Sequence, residues 1–173
     1  KSAFIILAAN TVGFEIGAYD RKAPLIIDPI LTYSTFLGGS NGDDDGRAIA
    51  IDAAGNVYVA GSTTSTNFQT AAPIQGTAGN PNPEDGASDA FVAKISPAGT
   101  QLLFSTYLGG SNDDDANGII VDSSGSVTIV GSTASPTDFP TTPGALRRSC
   151  NTAVNSSCLD AFVAKLTPSG SAL

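Results

Sequence analysis

Two runs of aspartate, Asp43-Asp44-Asp45 and Asp113-Asp114-Asp115, are the residues whose type and spacing most invite chemistry. Carboxylates gathered in a Gly/Asn-rich loop resemble a Ca²⁺ environment, because Ca²⁺ collects roughly six to eight oxygens and accepts backbone carbonyls among them. The runs lack the alternating ligands and closing Glu of an EF-hand loop. The competing reading, which the residue types favour, is a turn in which Asp side chains hold backbone N–H groups. Asp52 and Asp122 suit tight hairpins, and Asp89 and Asp160 suit the start of a strand. Glycoside hydrolysis is the other chemistry open to carboxylates and needs two acids about 5 to 9.5 Å apart across a cleft. The only glutamates are Glu15 and Glu84, and an aspartate run that occurs twice speaks for a repeated structural element rather than one active site. Histidine is absent, which removes Ser-His-Asp and Cys-His catalysis and imidazole metal sites together. No catalytic residue and no required cofactor is expected. Tyr33, Phe36, Phe104 and Tyr107 could stack on sugars, but on alternating strands they are expected in the core.

Charge and apolar content narrow the partners. The formal net charge is −8 with only eight Lys and Arg, so the chain has no basic face with which to displace counterions from a nucleic acid. The longest apolar run, Ala3 to Ala9, is far short of a bilayer span and reads as a strand rather than a signal segment. The two cysteines, Cys150 and Cys158, share one Ser/Asn-rich loop with nothing basic or metal-like nearby to activate them. A short disulfide is expected, and with it an oxidising, extracellular or cell-surface compartment. The same loop carries Asn155-Ser156-Ser157, which fits an N-glycosylation acceptor.

These residues must be positioned by a tandem repeat. YSTFLGGSNGDDD from Tyr33 and FSTYLGGSNDDD from Phe104 each open a longer block, and 71 positions separate Tyr33 from Phe104 and Asp89 from Asp160. After the first copy come AIAID, a turn, VYVAGST and DAFVAKISPAG; after the second come GIIVD, a turn, VTIVGST and DAFVAKLTPSG. Each unit therefore reads as four short strands and one long loop, the loops spanning Ser62 to Ser88 and Ser132 to Leu159. LTYSTFLGG alternates and stops at Gly38-Gly39, so it is expected to be the first strand of its own unit. Ahead of the repeats, SAFIILA and TVGFEIGAYD read as two strands about Ala9-Asn10, and PLIIDPIL as a third extended segment. The expected organisation is a β lead-in over 1–30, a first repeat over 31–101 and a second over 102–173.

The combination YST[FY]LGGSN, a hairpin of the form I-x-[IV]-D-x-x-G-[NS]-V, GST and DAFVAK[IL]-x-P-x-G resembles the SBBP family, a β-propeller repeat of large secreted bacterial proteins. The lead-in VGFEIGAYDRKAPLIIDPILTYST is similar to the end of the N-terminal domain of such proteins where it enters its first blade. The first copy departs from the usual Pro-Thr-Thr after Phe, carrying Gln69-Thr70-Ala71 where the second keeps Pro140-Thr141-Thr142, and the cysteine segment is an insertion. The resemblance implies an all-β fold: tandem four-stranded β-propeller-type blades preceded by a short β lead-in. Such blades are apolar on both faces and bury them against neighbours. The flanks are therefore expected to meet further blades of the same, longer polypeptide or other copies of the chain, by blade stacking or strand addition. The expected role is a non-enzymatic extracellular scaffold for assembly or adhesion, a filament or surface-layer component. The alternative is a propeller that binds a glycan or a surface protein through its long loops, with Ca²⁺ at Asp43, Asp44, Asp45, Asp113, Asp114 and Asp115 in one version.

Overall fold

A computed structural model describes residues 3–8, 11–15, 18, 22, 31–80, 86–150 and 158–173. They fall into two units, Lys1–Leu31 and Thr32–Leu173. In the first, β1 (Ala3–Ala8) pairs antiparallel with β2 (Thr11–Glu15), placing Phe4 opposite Phe14 and Ile6 opposite Val12. These are the two lead-in strands expected from the sequence. The third expected segment, PLIIDPIL, lies outside the described residues except at Leu31.

The second unit holds two antiparallel sheets, and no helix occurs among the described residues. The first has the order β3 (Asp44–Ile51), β4 (Val57–Thr63), β5 (Asp89–Ile95), β6 (Leu102–Leu108). The second has β7 (Asp114–Val121), β8 (Val127–Thr133) and β9 (Asp160–Leu166). Alternation explains both. In β5, Ala90 and Val92 point to one face and Phe91 and Ala93 to the other, and all four are buried, as a sheet covered on both sides requires. The hairpins close on aspartate: Asp52 Oδ1 accepts the Ala54 and Asn56 N–H groups at 3.0 and 2.9 Å, and Asp122 Oδ1 does the same for Ser124 and Ser126 at 2.9 and 3.0 Å.

The sheets are out of phase with the sequence repeat. Residues 32–39 form no strand, whereas their copy, β6, joins the sheet of the preceding unit. The tight turn after β5 accounts for this: Gly99 N–H donates to Ser96 O and Ser96 N–H to Gln101 O, so β6 folds straight back along β5. The first sheet thus runs from Asp44 to Leu108 across the repeat boundary at 101/102, and the second has three strands among the described residues.

One core lies between the sheets. Tyr58, Ala60, Ala90, Val92, Phe104 and Leu108 from the first meet Val127, Ile129, Phe162, Ala164 and Leu166 from the second. A smaller cluster of Phe68, Phe91, Ala93 and Tyr107 covers the other face of the first sheet, under the loop that follows β4.

Candidate functional site

The strand period scatters the aspartate runs. Asp44 points inward and its carboxylate accepts the Gly39 N–H at 2.8 Å and the hydroxyls of Thr63 and Ser65. Asp114, fully buried, accepts the Gly110 N–H at 2.7 Å and the Ser135 hydroxyl at 2.9 Å. The inward aspartate of each run therefore ties its Gly-Gly turn to the end of the hairpin strand two elements on. Asp45 and Asp115 point outward, and the guanidinium of Arg47 joins them at 3.0 and 2.9 Å. Asp113 accepts the Ser88 N–H at 3.0 Å. Asp43, Asp45, Asp113 and Asp115 line one concavity with Arg47 while Asp44 and Asp114 turn inward, and no group of three or more His, Cys, Asp or Glu among the described residues could hold a metal ion. Arg47 lies between the outward carboxylates of Asp45 and Asp115, where the Ca²⁺ expectation for Asp43, Asp44, Asp45, Asp113, Asp114 and Asp115 would put a cation, and Asp44 and Asp114 are taken up by backbone and hydroxyl donors. Arg47 went unremarked in the sequence, although a lone cation two residues beyond an aspartate run on a strand was a readable signal.

Other carboxylates follow the roles expected of them, with one addition. Hydrogen bonds, first from the Asn56 amide, hold Asp52 down to about 2. Asp122 is also depressed, chiefly by Ser124 and then by Lys165, whose Nζ lies 3.0 Å away. Asp89 opens β5 and accepts the Gly79 N–H, but its other oxygen is buried with no hydrogen-bond partner. Burial pushes it up to about 7, with Asp114 and Asp138 adding repulsion. A Cβ on Gly109 would overlap the carboxylates of both Asp89 and Asp114, so the chain can pass between them only as glycine. Asp160, the copy of Asp89, is only half-buried and faces Arg147 at 3.5 Å.

The aromatic residues divide. Phe104 and Tyr107 are in the core as expected. The Tyr107 hydroxyl donates to Ser65 O at 2.7 Å and accepts the Phe68 N–H at 2.8 Å, pinning the long loop to β6. Phe36, the copy of Tyr107, is fully exposed, contrary to expectation, because the segment carrying it joins no sheet. Cys150 and Cys158 form the expected disulfide, Cα to Cα 6.0 Å. The Asn155-Ser156-Ser157 triplet and Glu84 lie outside the described residues, as does the side chain of Glu15.

A cleft of about 800 Å³ lies between β9 and the loop over 139–150, with Phe139, Phe162, Arg147 and Leu173 in its walls. Nothing in it resembles a catalytic pair: its one carboxylate is Asp160, held by Arg147.

Short antiparallel sheets packed face to face, each tied by an inward aspartate to a Gly-Gly turn, define a tandem β-propeller-type protein. A family model for the SBBP β-propeller repeat matches residues 32–69 and 103–140, so this chain carries two SBBP repeats. No curated protein matches the sequence.

Proposed function

We propose that this propeller-type module is an extracellular scaffold that works by assembly or adhesion rather than by catalysis. The observation that carries the reading is that apolar side chains stand open on both flanks. Ile49 and Ile51 are exposed on the outer side of the first sheet, and Ile120, Val130 and Val163 on the outer side of the second. Their copies or counterparts facing the core between the sheets are covered: Ala60 and Val92 are fully buried, and Ile119 and Val121 pack against that core. Exposed apolar area of this kind marks a surface that meets a partner. The disulfide supports an oxidising compartment outside the cell.

The test has two parts. Sedimentation velocity of the 173-residue chain across a concentration series is expected to show self-association, and protease treatment of intact cells of the native host is expected to degrade the protein from outside. A chain that stays monomeric at every concentration and is protected in intact cells sinks the reading. Glycan binding through the loops is the second reading, favoured by the cleft beside Phe139; binding to a glycan panel without self-association would put it first.

A further inference from the structure

The two sheets are joined at a point where carboxylates gather inside the protein rather than on its surface. Just ahead of β5, Ser88 O accepts the Asp114 N–H at 2.6 Å and the Ser88 N–H donates to Asp113 at 3.0 Å, which ties the two sheets backbone to backbone. The next residue is Asp89, only 2 % exposed. The Gly109 backbone passes between Asp89 of the first sheet and Asp114 of the second, so close that an added Cβ would overlap both carboxylates. The two are unequally provided for. Asp114 accepts the Gly110 N–H at 2.7 Å and the Ser135 hydroxyl at 2.9 Å. Asp89 has the Gly79 N–H on Oδ2, and its Oδ1 is buried with no hydrogen-bond partner.

What faces Asp89 is neutral or negative. In the ladder β4 sets Thr63 opposite it, and β6 contributes Tyr107, whose hydroxyl is already held between Ser65 O and the Phe68 N–H. From β7 comes Asp114, and from the loop after β8 comes the exposed Asp138. On the side of the long loop, Gly79 lies against the carbonyl oxygens of Gly109 and Gly110. Arg47, the cation at this junction, is taken by Asp45 and Asp115. A carboxylate ionised in such a place has neither the donors nor the counter-charge that would offset its lost hydration, whereas a protonated carboxyl needs far less of both.

We propose that this joint is a pH-operated catch: it is shut while Asp89 carries a proton beside Asp114, and it opens locally, parting Ser88 from Asp114, when Asp89 gives that proton up to water. Opening lets water reach the Asp89 carboxylate and relieves its repulsion from Asp114, so the open joint holds the proton no better than an ordinary aspartate does. The shut joint holds it more tightly, because burial first, and then Asp114 and Asp138, push Asp89 up to about 7. The shut form is therefore favoured in full below about pH 3.9 and loses its advantage as pH rises through about 7. Asp89 belongs to the first repeat, and Gly109 and Asp114 to the second. The catch thus acts on the packing of one repeat against the next, whatever the outer flanks meet, and it tightens in acid.

Amide hydrogen exchange followed by NMR tests the catch at its own bond. The Asp114 N–H, which donates to Ser88 O, is the reporter, and the Asn56 N–H, held by Asp52 at the other end of β4 from Thr63, is the control. Once the intrinsic rise of exchange with pH is divided out, protection of the Asp114 N–H is expected to fall at least about tenfold between pH 5 and pH 8, tenfold answering to one unit of pKa difference. Protection of the Asn56 N–H is expected to stay level. Asp89→Asn, which cannot ionise and keeps an acceptor for the Gly79 N–H, is expected to hold the Asp114 protection level across the same range. In the native chain the carboxyl carbon-13 shift of Asp89 is expected to titrate together with the loss of Asp114 protection, a readout that does not depend on the variant folding. Asp114 protection that stays level in the native chain, an equal fall in Asp89→Asn, an equal fall at Asn56, or an Asp89 carbon shift that titrates wholly below pH 5 would each overturn the proposal.

Discussion

Arg47 of the first sheet lies 2.9 Å from Asp115 of the second and 3.0 Å from Asp45 of its own, so a single guanidinium neutralises carboxylates from both repeats at their junction. All three side chains are partly open to water, which holds the worth of the arrangement to about 1 kcal/mol. Arg47→Gln is expected to lower stability by that order, and more at low salt than at 0.5 M, because it leaves two like charges facing. Urea titrations of Arg47→Gln, Asp115→Asn and the double variant would measure the coupling, and an additive cycle would count against it. Since Arg47 holds the place a cation would take, EDTA is expected to leave the melting temperature unchanged.

Asp89 makes stability depend on pH over a defined window. Burial holds its carboxyl up to about 7, well above the value of about 3.9 expected for an unfolded chain. The folded state therefore binds this proton more tightly than the unfolded state. Its contribution is whole below about pH 3.9 and is lost as pH rises through about 7. Asp89→Asn keeps an acceptor for the Gly79 N–H and removes the charge. The unfolding free energy of the variant from urea titration is expected to fall less than that of the native chain between pH 5 and pH 8, with a difference on the order of a few kcal/mol. Parallel changes for the two proteins across that range would refute the assignment. Asp52 acts in the opposite sense: held down to about 2, it adds stability above about pH 3.9 that is lost as pH falls through about 2.

Gly109→Ala forces a methyl group between two buried carboxylates. A cost of about 2 to 3 kcal/mol is expected, within the range for overpacking a core. Gly76→Ala, whose added carbon would touch only the Pro73 ring at 3.4 Å, is the control and is expected to shift the midpoint little. Similar losses for the two variants would show that backbone entropy, not the carboxylates, decides the effect.

Tyr107→Phe removes the one hydroxyl that bridges Ser65 O and the Phe68 N–H, leaving both inside a buried cluster. A loss of about 1 to 3 kcal/mol is expected from unfolding curves. Phe68→Ala is expected to cost about 3 to 5 kcal/mol, because Phe68 is wedged between Phe91 and Tyr107. Phe139→Ala, on a partly buried ring whose aromatic neighbour among the described residues is Phe162, is expected to cost less.

Much of this architecture was legible because the repeat states it twice. The strands at AIAID, VYVAG and DAFVAK and their copies, the aspartate-closed hairpins, the turns after DAFVAK and the cysteine pair all follow from local residue types. The phase of the sheets was not legible. Both YST segments alternate equally well, and only the backbone return at Ser96 to Gln101 decides that β6 belongs to the sheet before it. The aspartate runs were legible as a feature and ambiguous as a site. Their sequence shows six clustered carboxylates, but a strand sends neighbours to opposite faces, and the partners that claim them, Gly39, Gly110, Ser135 and, for Asp115, Arg47, come from other elements. The raised Asp89 was invisible for the same reason, since its environment is made by Gly79, Gly109 and Asp114, up to 25 positions distant.

Because β6 is supplied by the repeat that follows, the blades overlap like roof shingles. A nick in the exposed turn between β5 and β6 would cut the chain without freeing either fragment, for the two pieces would still share the ladder from Ala90–Leu108 to Ile95–Leu102. Tension drawn along the backbone would meet the same ladder before it reached the second sheet. Units so lapped can be duplicated or lost in whole 71-residue steps with every sheet still complete at each internal joint.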